Sequence, residues 1–242
     1  MKKEVEYKSG TDTLNVISDA ENFNHWMYQT IKPHCSGSIL EVGSGIGNIS
    51  QFFLTDNFEI SLSDLSTDYF KILENKFSGY KNLKGLFTLD FAEKELELKY
   101  PHLIGQFDTV FALNVLEHVP DHEQSIKNCY LLLKPGGKLV ILVPAFQTLF
   151  NKFDVALEHQ RRYTPKTLKK VMLIPGFKLV HCQYFNAMGI LGWFVSGKLM
   201  SKNAIPGGQM RLYDQLVPVW KIVDWFLKPV LGLSVICVAQ KK

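Results

Sequence analysis

Apolar residues in this chain come in two rhythms, short continuous or alternating runs and longer stretches where they recur every three or four positions. In ENFNHWMYQTIKP, Phe23, Trp26, Met27, Tyr28 and Ile31 sit at helical spacing before Pro33, which predicts a leading helix. SILEVG follows as a short apolar run entering a glycine cluster, the pattern of a buried strand feeding a tight turn. FEISLSD alternates like a strand and ends on an acid. TDYFKILENKF then carries Asp68 in its first turn and Tyr69, Ile72, Leu73 and Phe77 on one face, predicting a helix. GLFTLD, FDTVFALNVL and KLVILVP read as further strands, with DHEQSIKNCYLLL as the helix before the last of them.

Strands alternating with helices imply a mainly parallel sheet covered on both faces, the α/β Rossmann-like, doubly wound class. Beyond it, TPKTLKKVML predicts a helix with Thr164 as N-cap and Pro165 in the first turn. FKLVHCQYF and LSVICVAQ read as late strands. Between them Leu216, Val219, Trp220, Val223, Phe226, Leu227 and Val230 recur at helical spacing, predicting one amphipathic helix over 213–230. The expected organisation is a single domain over 1–242, with a core at 20–145 and helical or loop cap insertions at 146–170 and 184–232 forming a substrate wall.

Composition narrows the class. The chain has 242 residues, 46% hydrophobic and 21% charged, as expected for a globular protein rather than a disordered or repeat chain. The net charge of +4 is spread through interleaved Lys and Glu, without a basic stripe, so no nucleic-acid partner is expected. MKKEVEYKSG lacks the apolar stretch of a signal peptide, which predicts a cytoplasmic location. The uncharged run 179–197 contains His181, Gln183, Asn186 and three glycines and alternates at its start, so it reads as a strand and loop rather than a membrane span. Cys35, Cys129, Cys182 and Cys237 are widely spaced with no CxxC pair, and are expected as buried free thiols.

The most informative segment is ILEVGSGIGN, with Glu41, Gly43, Ser44, Gly45 and Gly47. Glycines between a strand and a helix let the backbone turn sharply and approach a ligand closely. The dinucleotide fingerprint GxGxxG would need glycine where Asn48 stands, which disfavours a nicotinamide cofactor. Asp64 ends the second strand, where a carboxylate accepts hydrogen bonds from ribose hydroxyls. Its competing assignment is a helix cap. Asp90 follows the third strand, and the fourth runs into NVLEHVPD. No Lys or Arg occurs between Ser38 and Leu65, so an anionic loop stack faces the ligand, better suited to a cationic sulfonium than to a pyrophosphate.

Together these residues resemble the class I S-adenosylmethionine-dependent methyltransferases, most closely a bacterial group with an LEVGSGxGN turn, an LEHVPD segment and an LKPGG turn. The resemblance covers roughly residues 20–183. It implies a seven-stranded sheet with a reversed last strand and S-adenosylmethionine lying over the carboxyl ends of the first strands. It also implies that Glu41, Gly43, Ser44, Gly45 and Gly47 flank the methionine moiety, that Asp64 and Leu65 hold the ribose, that Asp90 and Phe91 face the adenine, and that Asn114 and Val115 lie beside the sulfonium.

Methyl transfer from a sulfonium is an in-line displacement, so the protein must align the acceptor and, for a hydroxyl, remove its proton. His118 in LEHVPD and His159 in DVALEHQRRYTP are the candidate bases. The second segment resembles a DxxLGHxRRY element of a subset of these enzymes, with Glu158 replacing the glycine. Arg161, Arg162 and Tyr163 are candidates to hold an acidic or phosphorylated acceptor, or to form a solvated or salt-bridged face. Trp26 and Tyr28 are candidates to close over the cofactor, or core residues. No carboxylate and histidine cluster has metal-ligand spacing, so no metal is expected. Tyr184, Phe185, Asn186, Gly189, Gly192, Trp193, Gly197 and Lys198 resemble a YFNxxGxxGWxxxGK element of the same subset. With the Trp220 and Trp225 segment they suggest a lid over a small-molecule or lipid-like acceptor, a face resting on a membrane surface through 184–230, or a packing flap. The expected acceptor is a small molecule or a lipid- or glycan-type compound, with oxygen favoured as the methylated atom because a histidine base is available. A non-catalytic cofactor-binding subunit and a nicotinamide-dependent oxidoreductase are the alternatives, the second also disfavoured by the lack of a recognisable Tyr and Lys pair.

Overall fold

The computed structural model describes residues 14–194 and 207–242, so Gly197 and Lys198 lie outside the described residues. The strand-like runs form one seven-stranded sheet, β1 (Ile39–Val42), β2 (Ile60–Asp64), β3 (Leu83–Thr88), β4 (Phe107–Leu113), β5 (Leu133–Pro144), β6 (Lys178–Phe185) and β7 (Ser234–Gln240). Their order is β3-β2-β1-β4-β5-β7-β6. The pairs among β1 to β5 are parallel, and β7 runs antiparallel to both β5 and β6, as the resemblance implies for a reversed last strand. Every residue of β1 is buried, because a central parallel strand is covered on both faces, whereas β3 at the edge is only half-buried.

The helical rhythms resolve into α1 (Glu21–Ile31), α2 (Ser50–Thr55), α3 (Thr67–Phe77), α4 (Leu96–Lys99), α5 (His122–Leu132), α6 (Lys152–Ala156), α7 (Pro165–Met172), α8 (Gly189–Trp193), α9 (Gly207–Gln215) and α10 (Val217–Leu227). Helix α7 starts where its sequence dictates: the Thr164 hydroxyl accepts from the Thr167 N–H and Pro165 occupies the first turn. Two apolar clusters sandwich the sheet. Alternate residues of one strand feed opposite sides, Ile39 and Phe111 packing with Phe53 and Phe77, Leu40 and Val110 with Ile126 and Met172. Full burial of each such side chain contributes about 1.5–3 kcal/mol.

Three expectations are corrected. The face of α3 toward the core is Leu73 and Phe77, while Ile72, a hundred degrees round the helix from Leu73, is exposed. The helix expected over 213–230 is two, α9 and α10, parted at Leu216, with Pro218 in the first turn of the second, where its missing N–H costs nothing. Its apolar stripe is also split: Trp220 packs against the core beside buried Val217 and the acid Asp224, and Val223 and Leu227 are half-buried, whereas Val219, Phe226 and Val230 are at least half exposed. The cap is tied down by polar contacts, Asp224 accepting from the Ala187 N–H at 2.7 Å and Asp214 from the Phe23 N–H at 2.8 Å. Finally, Cys35 and Cys129 are buried free thiols as expected, but Cys182 and Cys237 form a disulfide. The β6–β7 register sets these two directly opposite each other, a proximity that a separation of 55 residues conceals.

Candidate active site

The strand order reverses between β1 and β4, and in an open α/β sheet the crevice beyond the carboxyl ends at such a point is where ligands bind. Register fixes what meets there. Val42 pairs with Ser63 on one side and Ala112 on the other, so the glycine turn, Asp64 and the Asn114–His118 loop emerge side by side. The turn is one only glycine can make: Gly43 has φ +72°, and a Cβ there would lie 2.3 Å from Cγ2 of Val115. At Gly47, φ is +80° and a Cβ would meet the Phe77 ring at 2.3 Å. The segment before α1 also reaches the turn, the Asn48 amide donating to the Leu14 carbonyl.

Carboxylates brace this turn from below. Glu41 is buried and accepts a hydrogen bond from the Ser50 hydroxyl, and burial pushes its carboxyl up to about 8. Asp64 accepts from the Gly45 N–H through one oxygen and the Ser66 N–H through the other, both at 2.9 Å. It is not the helix cap; Ser66 holds that place, accepting from the Tyr69 N–H. Leu65 beside it is exposed. The turn does meet one cation from further along the chain, the Lys76 ammonium donating to the Ile46 carbonyl at 3.2 Å. Asp90 accepts from the Ala92 N–H, and the ring of Phe91 is buried in the core, which leaves only its backbone to face an adenine.

Beyond the turn, the loops after β4 and β5 are stitched together. Gln160 donates its N–H to the Glu117 carbonyl at 2.8 Å, and Arg161 donates to the carbonyls of Val119 and Pro120. This brings His118 against His159, ring centroids 4.7 Å apart and nearly perpendicular. His159 Nδ1 lies 2.8 Å from Asp154 Oδ1. Burial would push the Asp154 carboxyl up, but hydrogen bonds from His159 and Arg162 outweigh it and hold it below its ordinary value. An ionised carboxylate only accepts, so neutral His159 carries its proton on Nδ1 and keeps a lone pair on Nε2. His118 is exposed, yet the protein around it and the neighbouring His159 push its pKa down to about 4. Strain gathers here too: Asn114, Phe146 and Glu158 all have φ near +60°.

Several expected site residues have structural duties instead. Trp26 is buried against Phe185 at 4.5 Å, and the buried Tyr28 donates its hydroxyl to Asp56, so both belong to the core rather than to a lid. Arg162 is buried, its Nε 2.7 Å from Asp154 Oδ1, its Nη1 donating to the Ala145 carbonyl and its guanidinium over the Trp193 ring; it braces the cap. Arg161 is the clasp between loops. The Tyr163 hydroxyl pairs with His122 Nδ1. A cleft of about 310 Å³ between α5 and α7 is lined by His122, Arg161, Tyr163 and Lys170, apart from the glycine turn. Glu117 and Asp154 belong to the LEHVPD and DxxLGHxRRY elements but have no role assignable from sequence. Glu117 is fully buried with neither carboxylate oxygen hydrogen-bonded, and donor atoms of Glu117, His118 and His159 all lie within 4.8 Å of one another. No metal-ligand spacing is visible along the sequence, yet two loops distant in sequence bring these three groups together.

Residues 40–139 match the family model described as a methyltransferase domain. The chain is 32% identical over 129 residues to a ubiquinone biosynthesis O-methyltransferase of Xanthomonas euvesicatoria pv. vesicatoria, covering 53% of this chain and 52% of that protein. It is likewise 32% identical over 137 residues to the polyketide synthase component of the lovastatin nonaketide synthase of Aspergillus terreus, 54% of this chain and 4% of that one. Thus the match spans about half the length of the first of these relatives. In fold, the chain is similar to a SAM dependent methyltransferase from Archaeoglobus fulgidus, with TM-score 0.60, 18% identity and coverage of 90% and 94%. It is similar also to phosphoethanolamine N-methyltransferase 2 of Haemonchus contortus in complex with S-adenosyl-L-methionine, with TM-score 0.60, 19% identity and coverage of 91% and 52%.

Proposed function

We propose that this chain, which carries a methyltransferase domain of the S-adenosylmethionine-dependent class, transfers a methyl group to an oxygen of a small, lipid-like acceptor. The observation that carries the reading is the Asp154–His159 pair placed beside His118, next to the loop that leaves β4 at the glycine crevice.

The residues present suit the cofactor. Only glycine fits at Gly43 and Gly47, which keeps the backbone close to the crevice. Each Asp64 oxygen accepts one backbone N–H and keeps a lone pair for a ribose hydroxyl, while exposed Leu65 offers an apolar surface beside it. Glu41, Ser44 and Gly45 would border the methionine part, Asp90 and the Phe91 backbone the adenine, and Asn114 and Val115 the sulfonium. When bound, S-adenosylmethionine supplies an electrophilic methyl group. His159 Nε2, its ring oriented by Asp154, takes the proton of the acceptor hydroxyl as oxygen attacks, and His118 borders the acceptor.

A lipid-like acceptor is favoured by the outward apolar stripe of α10, where Ile222, Trp225 and Phe226 are each more than 60% exposed beside Val219 and Val230. No described helix is long and apolar enough to cross a membrane, so contact through 184–230 would be peripheral. The test is transfer of label from methyl-labelled S-adenosylmethionine to lipid-tailed phenols, polyols and amines presented in anionic vesicles. Label in an alkali-stable ether or base-labile ester of an oxygen acceptor supports the reading. Label only on amines contradicts it, and failure to co-sediment with the vesicles at low salt removes the membrane contact.

A further inference from the structure

We propose that Glu117, His118 and His159 form a binding site for a divalent first-row transition-metal ion. This inference rests on the methyltransferase reading for its role but not for its existence.

The donor set is the first argument. Two imidazoles and one carboxylate form a borderline set suited to zinc, manganese, iron or cobalt, and three protein ligands leave positions open for a substrate. Their donor atoms already lie within 4.8 Å of one another, and Nε2 of His159 is 4.0 Å from Oε1 of Glu117. Ligands on a common ion at about 2.0–2.2 Å stand roughly 3–4 Å apart, so a small inward movement of side chains completes the shell.

Glu117 supplies the second argument. Its side chain is fully buried and both its oxygens lack a hydrogen-bond partner. A buried carboxylate that accepts no hydrogen bond is costly, and Nε2 of His159, at 4.0 Å, stands beyond hydrogen-bond reach. Arg162 spends its Nε on Asp154 and its Nη1 on Ala145, and makes no hydrogen bond to Glu117. A cation between Glu117 and the two histidines satisfies the orphaned oxygens directly.

The third argument is the support behind the ligands. Metal-binding histidines commonly donate their other nitrogen to a carboxylate, which fixes the ring and its tautomer. His159 does this to Asp154, leaving Nε2 as the free donor on the Glu117 side. His118 lies at the open side of the cluster and gives an ion its way in.

Within methyl transfer, the ion would hold the acceptor oxygen. The acceptor O–H ionises on the metal with its proton lost to solvent; oxygen then bonds to the methyl carbon as the C–S bond breaks and sulfur keeps the pair. With the ion bound, Nε2 of His159 is a ligand instead of the base, and loss of the acceptor proton rests on the ion.

The test uses untagged full-length chain, treated with EDTA and dialysed, then titrated with Co²⁺ in the visible spectrum and with Zn²⁺ by calorimetry. Parallel titrations use Glu117→Gln and His118→Asn, and S-adenosylmethionine binding is measured on each protein. One equivalent of metal is expected, weakened at least tenfold by each substitution, with S-adenosylmethionine affinity within about twofold of the parent. Substoichiometric binding, or binding that survives both substitutions, overturns the site. Should Glu117→Gln fail to fold, His118→Asn at the exposed position decides alone. Metal binding without cofactor binding would sink the methyltransferase reading and leave the site standing; cofactor binding without metal would do the reverse.

Discussion

Nδ1 of His159 and Nε of Arg162 converge on one oxygen of Asp154, at 2.8 and 2.7 Å, while the other oxygen of that carboxylate accepts from the Asn151 N–H at 2.8 Å. A buried carboxylate with three donors is a fixed point, and it fixes the imidazole whose Nε2 lies 4.0 Å from Glu117. His159→Gln removes that imidazole without touching the glycine turn. The expected outcome is a fall in kcat on the order of 10²–10⁴-fold with S-adenosylmethionine affinity nearly unchanged, read by steady-state kinetics and calorimetry. A loss under tenfold would assign His159 to structure alone.

Glu158 occupies the place where the related DxxLGHxRRY element has glycine, and its own backbone is left-handed, with φ +60°. Its N–H still bonds the Val155 carbonyl, and the turn delivers His159 to Asp154. A side chain in this region costs about 1–2 kcal/mol. Glu158→Gly is therefore expected to raise stability by about 1 kcal/mol in urea denaturation, with kcat retained. A destabilised variant would mean that the Glu158 side chain contributes something beyond the backbone shape.

Gly43 and Gly105 share a positive φ, +72° and +64°, but not their surroundings. A Cβ on Gly43 drives into Val115, whereas nothing lies within 4 Å of one on Gly105. Gly105→Ala is expected to cost about 1 kcal/mol of backbone strain and to leave cofactor binding intact. Gly43→Ala is expected to cost more and to weaken S-adenosylmethionine binding at least tenfold, since the β4 loop must move. Equal effects in melting and binding assays would contradict the close packing of turn and loop.

Glu41 gives the turn a pH signature. Burial raises its carboxyl from 4.5 to about 8, so across that window the folded chain keeps a proton that the unfolded chain has released. Stability from this group is then lost as pH rises from about 4.5 to about 8. Glu41→Gln, which can still accept from Ser50, removes this dependence. Its stability relative to the parent, followed by urea titration at several pH values, is expected to grow steadily through the window. A constant difference would show that Glu41 ionises normally.

Most of the scaffold was legible because its signals are local. SILEVG, FEISLSD and KLVILVP carry the periodicity of buried strands, Thr164 and Pro165 the chemistry of a helix start, and Asn48 the departure from a dinucleotide turn. What escaped depends on partners far away in the chain. The apolar spacing from Leu216 to Val230 fixes a helical rhythm but not which side faces inward, and here the buried acids Asp214 and Asp224 decide that. Cys182 meets Cys237 only through the β6–β7 register. Glu117 and Asp154 stand in the sequence only as letters of the LEHVPD and DxxLGHxRRY elements, and the stitching of Gln160 and Arg161 to the β4 loop sets them beside the two histidines.

The central claim is that the glycine crevice binds a sulfonium cofactor. Its most direct test is calorimetric titration of the parent chain, Gly45→Arg and Asp64→Ala with S-adenosylmethionine, S-adenosylhomocysteine and NAD. Binding of both sulfur compounds but not NAD by the parent, lost in Gly45→Arg and weakened at least tenfold in Asp64→Ala, is the expected result. NAD binding, or sulfur-compound binding indifferent to both substitutions, would contradict it.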